Sequence, residues 1–566
     1  MYCLLRISAV LVWTVIPMAS CLYATPDIFP LDEIKPGMKG TVYTVMQGSE
    51  VVPVEAEILG VLKGGIAPGR DMIIGKLIDE KTELTGAVHG MSGSPLMIRG
   101  KLAGALSRRL ILFEKDGHCG FTPAHDMQDV SRRGPRRSSQ TKRIGMSDFT
   151  TPLTVSGGAN NWGVLEDKIK EWFPGALPIA GGQTGDQKKN LPPLEAGSPL
   201  AVVLMDGDIS MAGTGTVTWV EGNQVVGFGH AMFGLGPIDF PIAPAEIITV
   251  VPSYMMPHKI ANAGQINGTL DQDRLSAVSG RIGPVPEMAT YRVLRKHNGE
   301  SRPGWKGRLV KHHLIAPQLI ATLGSNAMMD AQDFSGEFSM RSKTTVKFTG
   351  FEAYVMEGYY SGDQMDRIIG MFDQLMPLMQ MMGRYGHQLE LESVEFDVET
   401  METQRNWTIL SMDVERDEVK VAEPLDLVIT LRNEEGRQQK FRCSWAAPEE
   451  LRGKRVILEC VSGLNLNMTQ QASATVFAGD DPEDALKQLQ TRFDNDRIYI
   501  RGVQRTMGIL KSGRLQSGLP YAVQKTAQEN PSPASVTAME RLIYGEQTID
   551  IDGMVSGYET ETVWIK

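Results

Sequence analysis

The chain has 566 residues and a formal net charge of −10, with 22% charged and 42% hydrophobic residues. That length suits about three or four domains; the acidic balance argues against a general nucleic-acid binder, and the composition is that of a folded globular chain. Short β-like runs punctuated by glycine and proline predict a mainly β protein.

Residues 1–24 read as an export signal, with one positive charge, Arg6, within an apolar run from Leu4 to Ile16 and small residues at Ala19, Ser20 and Ala24. The run is too short to span a bilayer comfortably, so the expected location is the periplasm, cell envelope or exterior. Met18-Ala19-Ser20-Cys21 also has the form of a lipoprotein cleavage box, which offers a lipid anchor at Cys21. In an oxidising compartment Cys443 and Cys460 are candidates for a disulfide. No CxxC or HExxH string occurs, so no metal site is expected, and His312-His313 are expected to point to opposite faces of a strand.

Residues 31–130 read as a compact β unit, in which Val54, Ala56 and Ile58 alternate with Glu55 and Glu57 in the period-two pattern of a half-buried strand. Within it, Gly90-Met91-Ser92-Gly93-Ser94-Pro95 is a tight turn between the apolar runs Ala87-Val88 and Leu96-Met97-Ile98. A serine between glycines presents its hydroxyl on a constrained backbone whose N–H groups can converge, which acyl transfer needs; a Gly-Ser-Pro hairpin turn is the plainer alternative.

Residues 131–193 form a linker, with the basic run Arg132-Arg133-Gly134-Pro135-Arg136-Arg137 and a short amphipathic helix from Trp162 to Phe173. A second β unit spans 194–350. Its Ala212-Gly213-Thr214-Gly215-Thr216 strand turns at Glu221-Gly222-Asn223 and returns to Gly227-Phe228-Gly229-His230, a histidine at a strand end. Residues 353–388 predict a methionine-rich packing helix interrupted at Pro377, a flexible cover for a peptide groove being the sharper reading. Residues 389–475 alternate like an immunoglobulin-like β-sandwich, and 476–566 read as a small α+β tail.

The Ser92 and His230 motifs together resemble the SpoIVB-type serine peptidases of bacteria, whose nucleophile lies in a G-M-S-G-S-P turn and whose base ends a glycine-rich strand. The resemblance covers roughly residues 31–125 and 195–285. It implies two chymotrypsin-like β-barrel lobes and a Ser-His-Asp triad of Ser92, His230 and Asp79, with Asp71 and Asp239 as alternatives for the acid and Ser94 for the nucleophile. It also implies an oxyanion hole from the Gly90 and Ser92 N–H groups, a protein or peptide substrate, and no cofactor. The sporulation peptidase carries its histidine half first; here the serine half leads, a circularly permuted order, and no PDZ domain is evident. Two rival readings are a silent peptidase-derived scaffold of the envelope and a protein that cleaves its own basic linker.

Overall fold

The structure is a computed structural model. It describes residues 26–566 except 84, 111–116, 133–149, 157–161, 183–190, 254, 330–337, 363, 404, 473–480, 491, 512–513, 518–519, 521, 524 and 527–535. The expected export signal over residues 1–24, Cys21 and most of the basic stretch lie outside the described residues. Among the described residues no helix is long and apolar enough to cross a membrane.

The first lobe is a closed barrel of β1 (Lys39–Thr44), β2 (Val52–Ala67), β3 (Arg70–Leu77), β4 (Pro95–Ile98), β5 (Lys101–Arg109) and β6 (His118–Pro123), in the order β1-β2-β3-β6-β5-β4. Alternation selects its interior: Val54, Ala56 and Ile58 are fully buried with Val42, Ile73, Leu96, Leu106 and Phe121. Helix α1 (Ala124–Ser131) leaves the barrel. Then β7 (Thr151–Val155), α2 (Trp162–Trp172) and β8 (Ala176–Ala180) form a parallel crossover unit.

The second lobe contains β9 (Pro199–Gly207), β10 (Met211–Glu221), β11 (Gln224–Gly227), β12 (Gly236–Val251), β13 (His258–Ala263), β14 (Gly268–Arg274) and β15 (Ala277–Ile282). Pairings run from β9 through β12, β14, β15, β11 and β10 back to β9, which closes a second six-stranded barrel. The mainly β, two-barrel expectation is met. The lobes share a small core of their own, in which Leu102, Ala105 and Met127 of the first meet Trp219, Val226 and Ala277 of the second.

Beyond the barrel, β9 also pairs with β17 (Glu300–Val310), which adds β16 (Met288–His297), β20 (Leu391–Met401), β18 (Phe338–Phe348) and β19 (Tyr354–Gly362) to the sheet. Two helices pack with this extension, α3 (Ala316–Met329) and α4 (Gln364–Tyr385). Helix α4 runs through Pro377 without a break and buries Leu375, Leu378, Met381 and Met382 in the main core, as the packing reading expects. Strand β20 pairs in parallel with β16 and antiparallel with β18, so residues 391–401 sit in this sheet rather than in the sandwich region. His312 and His313 precede α3 instead of lying in a strand, and their rings stack at 4.8 Å, with His387 4.2 Å from His313.

The C-terminal part has a four-stranded and a six-stranded sheet around one core that includes Ile409, Leu427, Trp445, Leu458, Ile500 and Val563. The immunoglobulin-like arrangement expected over 389–475 is not confirmed. This core draws strands from Asn406 to Ile565, and Met554–Ser556 pairs in parallel with Asn406–Thr408. Periodicity identifies a buried face and says nothing of which strands share it. The helix Pro482–Gln490 docks away from these sheets, against α4 and β19, and buries Ala485, Leu486 and Leu489 in the main core. Cys443 and Cys460 are free thiols; burial, with Cys443 close by, pushes Cys460 up to about 12.

Candidate active site at the seam of the two barrels

The serine turn is built from left-handed glycines. Gly90 has φ +97° and Gly93 φ +96°, conformations that glycine adopts at little cost and other residues avoid. Gly93 has a second constraint: a Cβ there would lie 2.0 Å from the Thr216 carbonyl oxygen and 2.4 Å from the Phe228 nitrogen, so the backbones of the two lobes touch at this point.

Strand β10 holds the turn. Its Thr216 N–H donates to the Ser92 carbonyl at 2.7 Å, the Thr216 hydroxyl to the Gly90 carbonyl at 3.0 Å and the Thr218 hydroxyl to the Gly93 carbonyl at 2.7 Å. The opposite face of β10 explains the glycines that precede those threonines. A Cβ on Gly213 would meet Met232 Cε at 2.3 Å, and one on Gly215 would meet the Phe228 ring at 2.4 Å. The two faces alternate as a strand requires: threonine hydroxyls grip the serine turn, and glycines make room for the histidine turn.

The histidine turn is strained where it meets its partner. Phe228 has φ +66°, a region that a bulky residue rarely occupies without functional or packing demand, and Gly229 follows at φ +67°. Its carbonyl accepts from the Thr122 hydroxyl at 2.6 Å, and a Cβ on Gly229 would sit 3.1 Å from the Leu106 carbonyl oxygen. That same Leu106 carbonyl accepts from the Gly93 N–H at 2.7 Å. Both turns are therefore pinned to one stretch of β5.

His230 is buried, and its Nδ1 lies 2.7 Å from the Ala231 carbonyl oxygen. A carbonyl only accepts, so Nδ1 carries the proton and the neutral ring presents a lone pair at Nε2. Burial pulls the imidazole down to about 4, against the opposing pull of the Ala231 carbonyl, so the ring is neutral near pH 7. Ser92 is 1% exposed, and among the described residues neither its Oγ nor the Ser94 Oγ has a hydrogen-bond partner. The Gly93 and Ser94 N–H groups bond within the fold, to Leu106 and Met91, whereas among the described residues Gly90 and Ser92 N–H donate no backbone bond. That leaves the pair expected to serve a developing oxyanion.

The acidic candidates fall differently. The Nδ1 hydrogen bond that the resemblance gives to Asp79 is made by the Ala231 carbonyl. Asp79 lies two residues past the end of β3, and its own carbonyl accepts from the Thr82 N–H and hydroxyl at 2.9 and 3.0 Å. Asp71 pairs with Lys63 at 2.7 Å and takes the Gly64 N–H at 2.9 Å in the β2–β3 hairpin, and Asp239 is exposed on β12.

Two further residues support the site without any motif in the sequence. Lys259 is fully buried, its stem 3.2 Å from a Cβ on Gly90 and its Nζ 2.9 Å from Thr44 Oγ1; desolvation pulls it down to about 7. Asp273 is fully buried and accepts N–H groups from the loop after His230. Among the described residues no cluster of His, Cys, Asp or Glu could hold a metal ion.

Residues 23–123 match the family described as SpoIVB peptidase S55. The match contains Asp79, Gly90 and Ser92 and ends at the last strand of the first barrel, so His230 lies outside it. No curated protein and no solved structure matches the chain.

Proposed function

We propose that a chain whose residues 23–123 match the SpoIVB peptidase S55 family acts as a serine endopeptidase, with a site completed by its second barrel. The observation that carries this reading is the backbone seam between the Ser92 turn and the Gly227–His230 turn. Ser92 Oγ attacks the scissile carbonyl, and His230 Nε2 takes its proton and returns it to the leaving amine. The Gly90 and Ser92 N–H groups stabilise the oxyanion. Ala231 C=O orients the ring, in the role the resemblance gives to Asp79. Chain order is no obstacle, because a triad is defined by geometry and occurs in several orders. Substrates are proteins or peptides of the envelope or exterior, reached after removal of residues 1–24.

The test is covalent labelling by a small fluorophosphonate. Wild type should label at one serine, and Ser92→Ala and His230→Ala should each abolish it, the pair being little worse than either because such groups act as a unit. Labelling that survives Ser92→Ala and vanishes in Ser94→Ala would move the nucleophile. The burial of Ser92 favours a second reading, a silent scaffold, and absence of labelling at any concentration would select it.

A further inference from the structure

We propose that Asp273 is the acidic positioning residue of this site, acting on His230 through the peptide backbone of the loop 231–235; this rests on the peptidase reading above. Asp273 lies on β14 opposite Gly236, the first residue of β12, so its side chain stands beside the loop that joins His230 to β12. Its Oδ1 accepts the Met232 N–H at 2.8 Å, and its Oδ2 accepts the Phe233 N–H at 2.9 Å and the Leu235 N–H at 3.2 Å. Gly234 N–H faces the same carboxylate. Burial raises the Asp273 carboxyl above the usual carboxylate range, and the converging N–H groups pull against that rise; successive N–H groups aimed at one carboxylate form a nest.

The loop so fixed begins with Ala231, whose carbonyl holds His230 Nδ1 at 2.7 Å. Met232 also fills the space left by Gly213 on β10, so the loop is pinned from both sides. The carboxylate thus sets the direction of the Ala231 carbonyl, and the carbonyl sets the tautomer and plane of the ring. In a Ser-His-Asp site a carboxylate does this by direct contact; here one peptide segment stands between. A carboxylate that merely closed the loop would affect stability and leave the tautomer alone.

The test uses the full chain with 15N-labelled histidine. In wild type the His230 imidazole shifts should report a proton on Nδ1 between pH 6 and 8. Asp273→Asn keeps the shape, removes the charge and turns an NH2 donor toward N–H donors. It should slow fluorophosphonate labelling of Ser92 about 10- to 100-fold and give a mixture of His230 tautomers, while far-UV spectra and cooperative melting persist. Asp273→Ser, which keeps one small acceptor, serves where the amide variant does not fold. A folded variant with wild-type labelling rate and a single Nδ1–H tautomer would overturn the proposal, as would failure of both variants to fold, since the carboxylate would then be a requirement of the fold. If wild type is never labelled, the peptidase reading fails; the tautomer measurement still decides whether Asp273 orients His230.

Discussion

At the scale of single residues the site depends on atoms that are absent. Gly93→Ala places a methyl 2.0 Å from the Thr216 carbonyl oxygen, on backbone that cannot yield cheaply. It should destabilise the chain by about 2 kcal/mol or more, read by urea unfolding, and remove labelling of Ser92. Gly90→Ala meets first the flexible Lys259 stem, at 3.2 Å, and should cost less stability, of the order of the φ strain, about 1–2 kcal/mol. These glycines were legible as a constrained turn around the serine, which an ordinary hairpin would also show, and it is Ser92 and His230 taken together that carry the resemblance. The ring's actual acceptor was not legible. A backbone carbonyl has no sequence signature, whereas the resemblance points to a carboxylate and to Asp79. Asp273 lies within the Leu270-Asp271-Gln272-Asp273 strand, where alternation does not distinguish a buried carboxylate from an exposed one.

At the scale of elements β10 is the decisive piece, since it serves one turn with each face. Thr216→Val and Thr218→Val keep shape and lose hydroxyls that bond Gly90 and Gly93 carbonyls at 3.0 and 2.7 Å. Each should cost about 1–2 kcal/mol by thermal unfolding, because a buried carbonyl is left unmet, and slow labelling of Ser92 beyond what that loss implies. The Gly-Thr alternation of residues 212–216 was visible in the sequence, but it takes the second lobe's fold to show what each face meets. The extension of the sheet was less legible. β20 has the alternation of a sandwich strand, and only its pairing with β16 and β18 shows where it belongs. A chain stopped at residue 385 therefore lacks an internal strand of the second lobe's sheet and should not melt cooperatively.

At the scale of the molecule, buried neutral histidines couple stability to pH. Burial pulls His89 and His230 down to about 4 and His312 to about 3. In the unfolded chain these rings titrate near 6.5 and take up protons that the native state refuses, so native stability is highest above 6.5 and falls as pH drops toward 4. Each such ring contributes a slope of up to about 1.4 kcal/mol per pH unit across that window. Urea midpoints taken from pH 7.5 to pH 4.5 should fall steadily, and His312→Phe should flatten the curve by about one histidine's share. The same shift has a kinetic sign: His230 stays unprotonated well below the usual range, so the acid limb of the labelling rate should lie below pH 5.5. Two-barrel architecture was implied by the family resemblance that the two motifs carry, whereas docking of the helix Pro482–Gln490 onto α4 and β19 follows from no local pattern.

The burial of Ser92 has a consequence for time rather than for energy. A hydroxyl 1% exposed reacts only during openings of the seam, and each opening is an event of the protein, independent of what waits outside. At low reagent concentration the rate should rise in proportion to concentration, with a constant peculiar to each reagent. At high concentration it should level off at a ceiling equal to the opening rate. Small and bulky fluorophosphonates should therefore share one ceiling, although their initial slopes differ. Separate ceilings would mean that reagents bind a cleft already open.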